Sequence, residues 1–199
     1  MMTAQQMKEL EAASGIPSLI LMENAGKAFV EELKRHHETK GKKILVACYH
    51  GRNGGDGFAI ANQLADESEV DVLFIGDEEK LVRESAHFFH HVNNNPLIQF
   101  VAIDTVDFDE YDLIIDAILG IGIHHYLKPE IAVAVRHINE AKAIKVSADI
   151  PTGLDPDTGK MIEQAINADL IITFHDMKPG LEQFGDKVRV VGIGLPFAR

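Results

Sequence analysis

Short apolar runs rich in β-branched residues alternate with segments of helical periodicity along nearly the whole 199-residue chain. These runs predict strands at 43–48, 69–75, 97–103, 111–119, 144–148, 169–174 and 188–191. Helices are predicted at 17–37, 78–92 and 129–141, and another follows the glycine-rich segment that begins near residue 50. Thr3 and Gln6 have the spacing of a capping box that opens a short first helix. Strands that alternate with helices at this pitch form βαβ units, so we predict an α/β fold with a mostly parallel sheet covered on both faces.

Composition limits the classes of protein to which the chain can belong. Hydrophobic residues make up 46% and charged residues 25% of the sequence, as is typical of a folded globular protein. The formal net charge of −12 argues against a nucleic-acid partner, which would require a basic face. The sequence has neither a signal-peptide pattern nor a run of about 18 apolar residues, and Cys48 is its only cysteine. We therefore expect one domain over residues 1–199, a cytoplasmic location and no membrane partner.

The segment at 50–65 joins the first predicted strand to a helix and is rich in glycine. A strand, a glycine-rich turn and a helix together direct backbone N–H groups and the positive end of the helix dipole toward an anion. Gly54, Gly55 and Gly57 would leave room for a close-lying ligand and permit positive φ. The alternative is a tight connection in which Asp56 is the helix N-cap. The segment matches neither common nucleotide-binding glycine fingerprint, so these residues alone leave both interpretations open.

Two further segments follow predicted strands and would lie at the same edge of a parallel sheet, where α/β proteins bind ligands. Asp116 ends one strand and precedes Gly120 and Gly122, which predicts either a capped turn or a ligand-binding loop. Asp149 ends another strand, and a carboxylate at that position in a cleft is well placed for proton transfer. Lys178 begins a Lys-Pro-Gly-Leu sequence that is either a plain turn or a neighbour of the same edge.

Oxygen ligands are present in all three segments, in Asn53, Asp116 and Thr152. No cysteine–histidine pairing accompanies them. Such a set suits a hard monovalent or divalent cation better than zinc, so a cation site is a further hypothesis for this edge.

Five ordered motifs together resemble the YjeF N-terminal domain family, the NAD(P)H-hydrate epimerases. They are Gly15-Ile-Pro with Leu21-Met-Glu-Asn-Ala-Gly26, then Asn53-Gly-Gly-Asp-Gly57, Asp116-Ala-Ile-Leu-Gly120, Asp149-Ile-Pro-Thr-Gly-Leu-Asp155 and Lys178-Pro-Gly-Leu181. The resemblance implies a Rossmann-like three-layer α/β sandwich, often dimeric. Two places depart from the family pattern. Tyr49-His-Gly-Arg-Asn53 replaces Gly-x-Gly-Asn-Asn, and Leu119-Gly-Ile-Gly-Ile123 replaces Phe-Gly-Thr-Gly-Leu.

The resemblance also implies roles for individual residues. The hydrated dinucleotide substrate would contact Arg52, Asn53, Gly54, Gly55, Asp56, Gly120, Ile121, Gly122, Ile123, His124, His125, Tyr126 and Asp149. A potassium ion would be held by Asn53, Asp116 and Thr152. We assign catalysis to Asp149, because epimerisation needs a group that gives and takes a proton near the reacting carbon.

The implied activity is that of an isomerase that interconverts the R and S forms of NADHX and NADPHX in the repair of nicotinamide cofactors. A separate NAD(P)H-hydrate dehydratase would be its functional partner, and a homodimer is a further expectation. The alternative is a noncatalytic scaffold of the same fold that binds a dinucleotide or a related nucleotide ligand. Isoleucine at position 121, where the family has threonine, motivates that alternative. The presence of Asn53, Asp116 and Asp149 together favours the enzyme.

Overall fold

A sheet of seven parallel strands organises residues 1–122 and 126–196, the parts of the chain that the computed structural model describes. The strands are β1 (Lys43–Cys48), β2 (Glu69–Phe74), β3 (Ile98–Val101), β4 (Leu113–Ala117), β5 (Ile144–Ala148), β6 (Leu170–Phe174) and β7 (Val188–Val191). Their order across the sheet is β3-β2-β1-β4-β5-β6-β7. The chain therefore winds outward from β1 to β3, returns to β4 beside β1, and then winds outward on the other side. This makes β1 and β4 the switch point of the sheet.

Helices cover both faces of this sheet. The described α-helices are α1 (Ala4–Ala13), α2 (Ser18–His36), α3 (Arg52–Leu64), α4 (Arg83–Asn93) and α5 (Pro129–Glu140), and 3₁₀ segments occur at Glu78–Lys80, Phe108–Glu110 and Pro179–Lys187. Alternate strand residues face opposite sides, so Ile44 and Val46 join a core with α2, α3 and α4, whereas Leu45 and Ala47 join a core with α5. The predicted three-layer α/β sandwich is confirmed. Within the described ranges no helix is both long and apolar enough to cross a membrane.

Most predicted strands and helices agree with the structure to within one or two residues at their ends. The helix predicted at 78–92 is different, because it is divided into the 3₁₀ segment Glu78–Lys80 and α4. Leu81 and Val82 separate the two with ψ angles of 127° and 155°, which are extended values that a helix cannot contain.

The glycine-rich segment also differs from the prediction, since it forms the first turns of α3 and not a turn ahead of the helix. The helix begins at Arg52 with Gly51 as its N-cap, so the interpretation of Asp56 as the N-cap is wrong. Neither Gly54 nor Gly57 adopts a positive φ. The positive φ angles that these two glycines permit are therefore not adopted in this segment.

Close packing explains the glycines of α3. A Cβ atom on Gly54 would lie 1.7 Å from the carbonyl oxygen of Tyr49, and one on Gly57 would lie 2.6 Å from the Cβ of Ala117. The missing side chains let α3 approach the ends of β1 and β4, and this tertiary packing outweighs the low helix propensity of glycine.

The first helix is fixed in place by contacts at its amino end. The predicted capping box is confirmed, because Gln6 N–H donates to Thr3 Oγ1 at 3.2 Å and Thr3 N–H donates to Gln6 Oε1 at 2.8 Å. The next residue, Ala4, donates its N–H to Asp157 Oδ1 at 2.8 Å. These bonds hold α1 against the segment that follows β5, at the carboxyl edge of the sheet.

We predict that Gly54→Ala destabilises the fold strongly, because the new methyl group would meet the Tyr49 backbone, which cannot rotate away. The loss in free energy of unfolding should reach at least the upper end of the roughly 1–3 kcal/mol range typical of overpacking. Gly122→Ala is the matched control, since no described atom lies within 4 Å of its added Cβ. Thermal unfolding of both variants tests the prediction, and equal midpoints would contradict it.

Candidate active site

A cavity of about 240 Å³ lies where the carboxyl ends of β1, β4, β5 and β6 meet. Its walls come from the first turns of α3, the loop after β4, the residues that end β5 and β6, and the helices α1 and α2. This is the edge at which the sequence predicts ligand binding. The predicted substrate residues that line the cavity are Arg52, Asn53, Asp56, Gly120, Ile121, Gly122 and Asp149.

The other predicted substrate residues lie elsewhere. Gly54 faces Tyr49, and a Cβ atom on Gly55 would lie 2.4 Å from Ser85 Oγ, so protein fills the space expected for a ligand beside these two glycines. Any contact that they make with a ligand is limited to backbone groups. Tyr126 is 62% exposed and does not belong to the described walls of the cavity. Ile123, His124 and His125 lie outside the described residues.

The first turn of α3 presents unbonded N–H groups beside the cavity. No side chain caps this helix, and its first backbone hydrogen bond runs from Gly55 N–H to the Gly51 carbonyl at 3.2 Å. The N–H groups of Arg52, Asn53 and Gly54 have no hydrogen-bond partner among the described residues. Together with the helix dipole, these donors favour an anionic group at this end of the cavity.

Asp149 has an unusual backbone conformation directly after β5. Its φ is 66°, and the N–H of Ile150 donates to the carbonyl of Ala148 at 2.9 Å, which closes a γ-turn around Asp149. A positive φ is costly for a residue with a side chain, and such strain is found preferentially at functional sites. The turn directs the Asp149 carboxylate to the cavity, where it forms part of the wall.

Lys178 holds this carboxylate from the end of β6. Its ammonium Nζ donates to Asp149 Oδ1 at 2.5 Å, to Thr173 Oγ1 at 2.9 Å and to the Phe174 carbonyl at 2.8 Å. The lysine side chain is only 1% exposed, so the ion pair is almost fully removed from water. Of the two interpretations of Lys178, the structure therefore supports the neighbour of the sheet edge.

The two oxygens of Asp149 differ in their surroundings. Oδ1 also accepts hydrogen bonds from Thr173 Oγ1 at 3.1 Å and from Phe174 N–H at 3.3 Å. Oδ2 accepts none from the residues that the structure describes. One oxygen is thus fixed by the protein, and the other is available to a ligand in the cavity.

Asp116 supports the loop that forms another wall. It is completely buried at the end of β4, and Ser147 Oγ and Thr152 N–H donate to its Oδ2 at 2.9 and 2.8 Å. Its Oδ1 accepts from Thr152 Oγ1 at 2.6 Å and from Ile118 N–H at 3.3 Å. Thr152 Oγ1 in turn accepts from Leu119 N–H at 3.0 Å. Burial raises the pKa of the Asp116 carboxyl, and the hydrogen bonds from Thr152 and Ser147 oppose that shift.

Asn53 lies on the other side of the loop that Asp116 and Thr152 support. A Cβ atom on Gly120 would lie 3.2 Å from the Asn53 amide carbon and from its oxygen Oδ1. The Asn53 amide nitrogen Nδ2 is buried and has no hydrogen-bond partner among the residues that the structure describes. A buried amide that remains unsatisfied is costly, and exchanging its nitrogen and oxygen by a 180° rotation would place an unsatisfied oxygen there instead.

The donor set therefore fits an oxygen-seeking cation in its chemistry. It combines an amide, a buried carboxylate and a hydroxyl around residues 118–120. The Asn53 amide nitrogen is the atom of this set that has no partner in the described parts of the chain. Within the described parts of the chain, no group of three or more His, Cys, Asp or Glu residues could hold a metal ion. A hard, weakly bound cation suits this set better than a transition metal.

Charged side chains from α1 and α3 pair above the cavity. Arg52 Nη1 donates to Glu11 Oε2 at 3.0 Å. Burial raises the pKa of Glu11, and the Arg52 charge opposes that shift. Nothing in the sequence around Glu11 points to the site, since this residue simply continues the helical pattern after the capping box. The only local signal for the position of Glu11 is the capping box, which fixes the start of α1.

The two departures from the family pattern have distinct structural consequences. Arg52 extends from the first residue of α3 to α1 through its ion pair with Glu11. Ile121 is partly buried and packs against both hydrophobic cores while it lines the cavity. The isoleucine thereby anchors the loop by apolar contacts.

Comparisons with known proteins agree on one family. The family model described as YjeF-related protein N-terminus matches residues 18–180. The chain is 33% identical to a protein of Nitrosopumilus maritimus named NAD(P)H-hydrate epimerase, over 98% of this chain and 95% of that protein. It is 37% identical to a protein of the same name from Limosilactobacillus fermentum, over 90% of this chain and 87% of that protein.

Longer relatives and a solved structure extend the comparison. The chain is 36% identical to the protein named bifunctional NAD(P)H-hydrate repair enzyme Nnr of Methanopyrus kandleri, over 98% of this chain but only 41% of that protein. It thus spans about two fifths of the length of such bifunctional relatives. The crystal structure of yeast ynu0, YNL200c, is similar with a TM-score of 0.83 at 20% identity and covers all of this chain and 95% of the yeast chain. By the extent of the family match, the chain belongs to the family of YjeF-related protein N-termini.

Proposed function

We propose that this protein is an NAD(P)H-hydrate epimerase that interconverts the R and S forms of NADHX and NADPHX. Family membership and the names of relatives at 32–37% identity support the proposal. The structural observation that carries it is the Asp149 carboxylate, whose Oδ1 is fixed by Lys178 while Oδ2 is left to the cavity. A scaffold would not require a buried, strained and ion-paired carboxylate at this position.

The reacting carbon of the substrate is C6 of the hydrated nicotinamide ring. It carries a hydroxyl group beside the ring nitrogen and is therefore a hemiaminal. Its configuration inverts by reversible loss of hydroxide to an iminium ion, or by ring opening to an aldehyde and reclosure. Both routes need a group that gives and takes a proton, and Asp149 fills that role.

The cavity and its rim suit different parts of the dinucleotide. The enclosed volume of about 240 Å³ is below the roughly 300–1,000 Å³ of sites that enclose a drug-sized ligand. The hydrated ring would occupy the cavity, and the pyrophosphate would lie at the amino end of α3. There the free N–H groups and the guanidinium of Arg52 favour its negative charge.

A potassium ion is part of the proposal, held by Asn53, Asp116 and Thr152. The supporting observation is the buried amide of Asn53, whose nitrogen has no hydrogen-bond partner among the described residues and which lies close to Gly120, next to the Leu119 that Thr152 and Asp116 hold. The ion would supply positive charge that steadies the loops and the anionic ligand, with no redox role. The chemical step itself is assigned to side chains of the protein.

The proposed biological setting follows from the activity. Epimerisation alone does not regenerate the cofactor, so a separate NAD(P)H-hydrate dehydratase would consume the product, and the relatives named bifunctional repair enzymes support that pairing. A cytoplasmic location is supported by the single buried cysteine, Cys48, which forms no disulfide. A homodimer remains a prediction.

We predict that Asp149→Asn lowers the epimerisation rate by about 10²–10⁴-fold, because the amide keeps the shape of the carboxyl group but cannot carry the proton. Substrate affinity should change much less, since the amide oxygen still accepts hydrogen bonds. The rate is measured by chiral chromatography of the two epimers at short times, with spontaneous epimerisation subtracted.

Two controls separate chemistry from stability in this experiment. Asp186→Asn makes the same chemical change at an exposed site near the amino end of β7, at the opposite edge of the sheet. Asp149→Asn also leaves the buried Lys178 charge unpaired, so the double variant with Lys178→Met tests whether any loss is due to unfolding. Wild-type turnover by a folded Asp149→Asn variant would assign the proton transfer to another group.

We also predict that potassium stabilises the substrate-free protein. At about five times its dissociation constant the ion adds about 1 kcal/mol, which raises the unfolding midpoint by about 2–4 °C relative to tetramethylammonium at equal ionic strength. Asn53→Ala should abolish this difference, whereas Gln63→Ala, which removes an exposed amide from the same helix, should preserve it. Identical wild-type midpoints in the two salts would contradict the ion site.

A further inference from the structure

Asp56 is a second carboxyl group in the cavity, and the family resemblance implies for it only a contact with the substrate. It belongs to α3, whereas Asp149 follows β5, so the two groups enter the same cavity from different walls. Asp56 is half-buried. Its carboxyl group makes no hydrogen bond or ion pair with the residues that the structure describes. The carboxyl group is therefore available to a ligand in the cavity that it lines.

The charged groups around Asp56 do not neutralise it. Those that act on it are Asp149, Glu11, Arg52 and Lys178. Arg52 is paired with Glu11, and Lys178 is paired with Asp149. Both of these cations thus already have a carboxylate partner. Burial raises the pKa of Asp56 well above its usual range, and the negative charges of Asp149 and Glu11 add to that effect.

Two other charged side chains line the cavity, Lys8 from α1 and Glu84 from α4. Neither forms a hydrogen bond or an ion pair with Asp56. The cavity therefore contains an ion-paired carboxylate at Asp149 and, at Asp56, a carboxyl group whose surroundings favour its neutral form. Two carboxyl groups in such different surroundings are the arrangement that acid–base enzymes use to divide the two roles.

The geometry points to Asp56 as a second catalytic residue, the acid that protonates the departing C6 hydroxyl while Asp149 serves the opposite face of the ring. This assignment rests on the proposed epimerase function. It applies to the iminium route. On that route a single group would lose and recapture the hydroxyl on the same face, whereas inversion needs delivery of water to the other face.

The proposed reaction steps balance in atoms and electrons. The proton of Asp56 moves to the C6 hydroxyl, and the C6–O bonding pair leaves with the oxygen as water. The lone pair of the ring nitrogen forms the C6–N double bond of the iminium ion. A water molecule then attacks C6 from the opposite face, and Asp149 accepts its proton. Exchange with solvent returns one proton to Asp56 and removes one from Asp149, so no oxidant or reductant is needed.

The first test measures the protonation of Asp56 in the free protein, without reference to activity. Infrared difference spectra between the wild type and Asp56→Asn at pH 7 should contain the carbonyl stretch of a neutral carboxylic acid. Asp66→Asn is the matched control, because Asp66 is exposed just beyond the carboxyl end of the same helix. The band should persist in Asp66→Asn and disappear as the pH rises through the pKa of Asp56. Absence of the band at pH 7 overturns the proposal.

The second test measures catalysis and binding separately. Asp56→Asn keeps a neutral side chain of the same shape that still donates a hydrogen bond, so the dissociation constant of the hydrate should change little. The epimerisation rate should fall by about 10²–10⁴-fold, the usual contribution of a general acid. The wild-type rate should also decline as the pH rises through the pKa of Asp56, and this limb should be missing in the variant.

The outcomes distinguish this proposal from the function on which it rests. An active wild type together with an equally active Asp56→Asn variant overturns the role of Asp56 and leaves the epimerase function intact. A wild type that adds nothing to spontaneous epimerisation overturns the proposed function and this assignment together. An active wild type, a slow but tightly binding variant and the infrared band together support Asp56 as the acid.

Discussion

The buried ion pair between Asp149 and Lys178 is the interaction on which the geometry of the candidate site depends. Removing two charges from water costs several kcal/mol per ion, and that cost is offset only where geometry and hydrogen bonding are good. Lys178 meets this condition through bonds to Asp149, Thr173 and the Phe174 carbonyl. Because Asp149 follows β5 and Lys178 follows β6, the pair connects two strand ends across the cavity and holds a carboxylate in a strained γ-turn. The result is a rigid group with one oxygen available for chemistry.

Asp116 and Asp149 occupy similar positions at strand ends but have different surroundings. Asp116 accepts four hydrogen bonds from the residues around it, and these bonds join the ends of β4 and β5 to the loop that lines the cavity. From the described residues, Asp149 accepts hydrogen bonds on one oxygen only. The first arrangement shapes the rim of the cavity, and the second leaves one carboxylate oxygen without a hydrogen-bond donor among the described residues. The distribution of hydrogen bonds, more than position in the sheet, distinguishes these two carboxylates and is the basis of the different roles proposed for them.

Sequence patterns predicted the strands and the edge of the sheet at which the site lies, because hydrophobic periodicity and strand ends are local properties. The start of α3 was misplaced, since the glycines of this segment suggest a turn until the packing of Gly54 against Tyr49 is known. The wall formed by α1 and the contact between Glu11 and Arg52 join residues far apart in sequence. No local pattern encodes such pairs. The predicted ligand residues at 123–125 lie outside the described ranges, so their placement stays a prediction.

The most direct test of the central claim starts from purified R epimer of NADHX near neutral pH. Chiral chromatography follows the appearance of the S epimer with the protein and in buffer alone. The proposed function predicts that the protein brings the mixture to the same final ratio as the spontaneous reaction, at a rate well above the buffer control and proportional to protein concentration. A rate equal to that of the buffer control, at a protein concentration that binds the hydrate, would contradict the epimerase and favour a noncatalytic binding protein of the same fold.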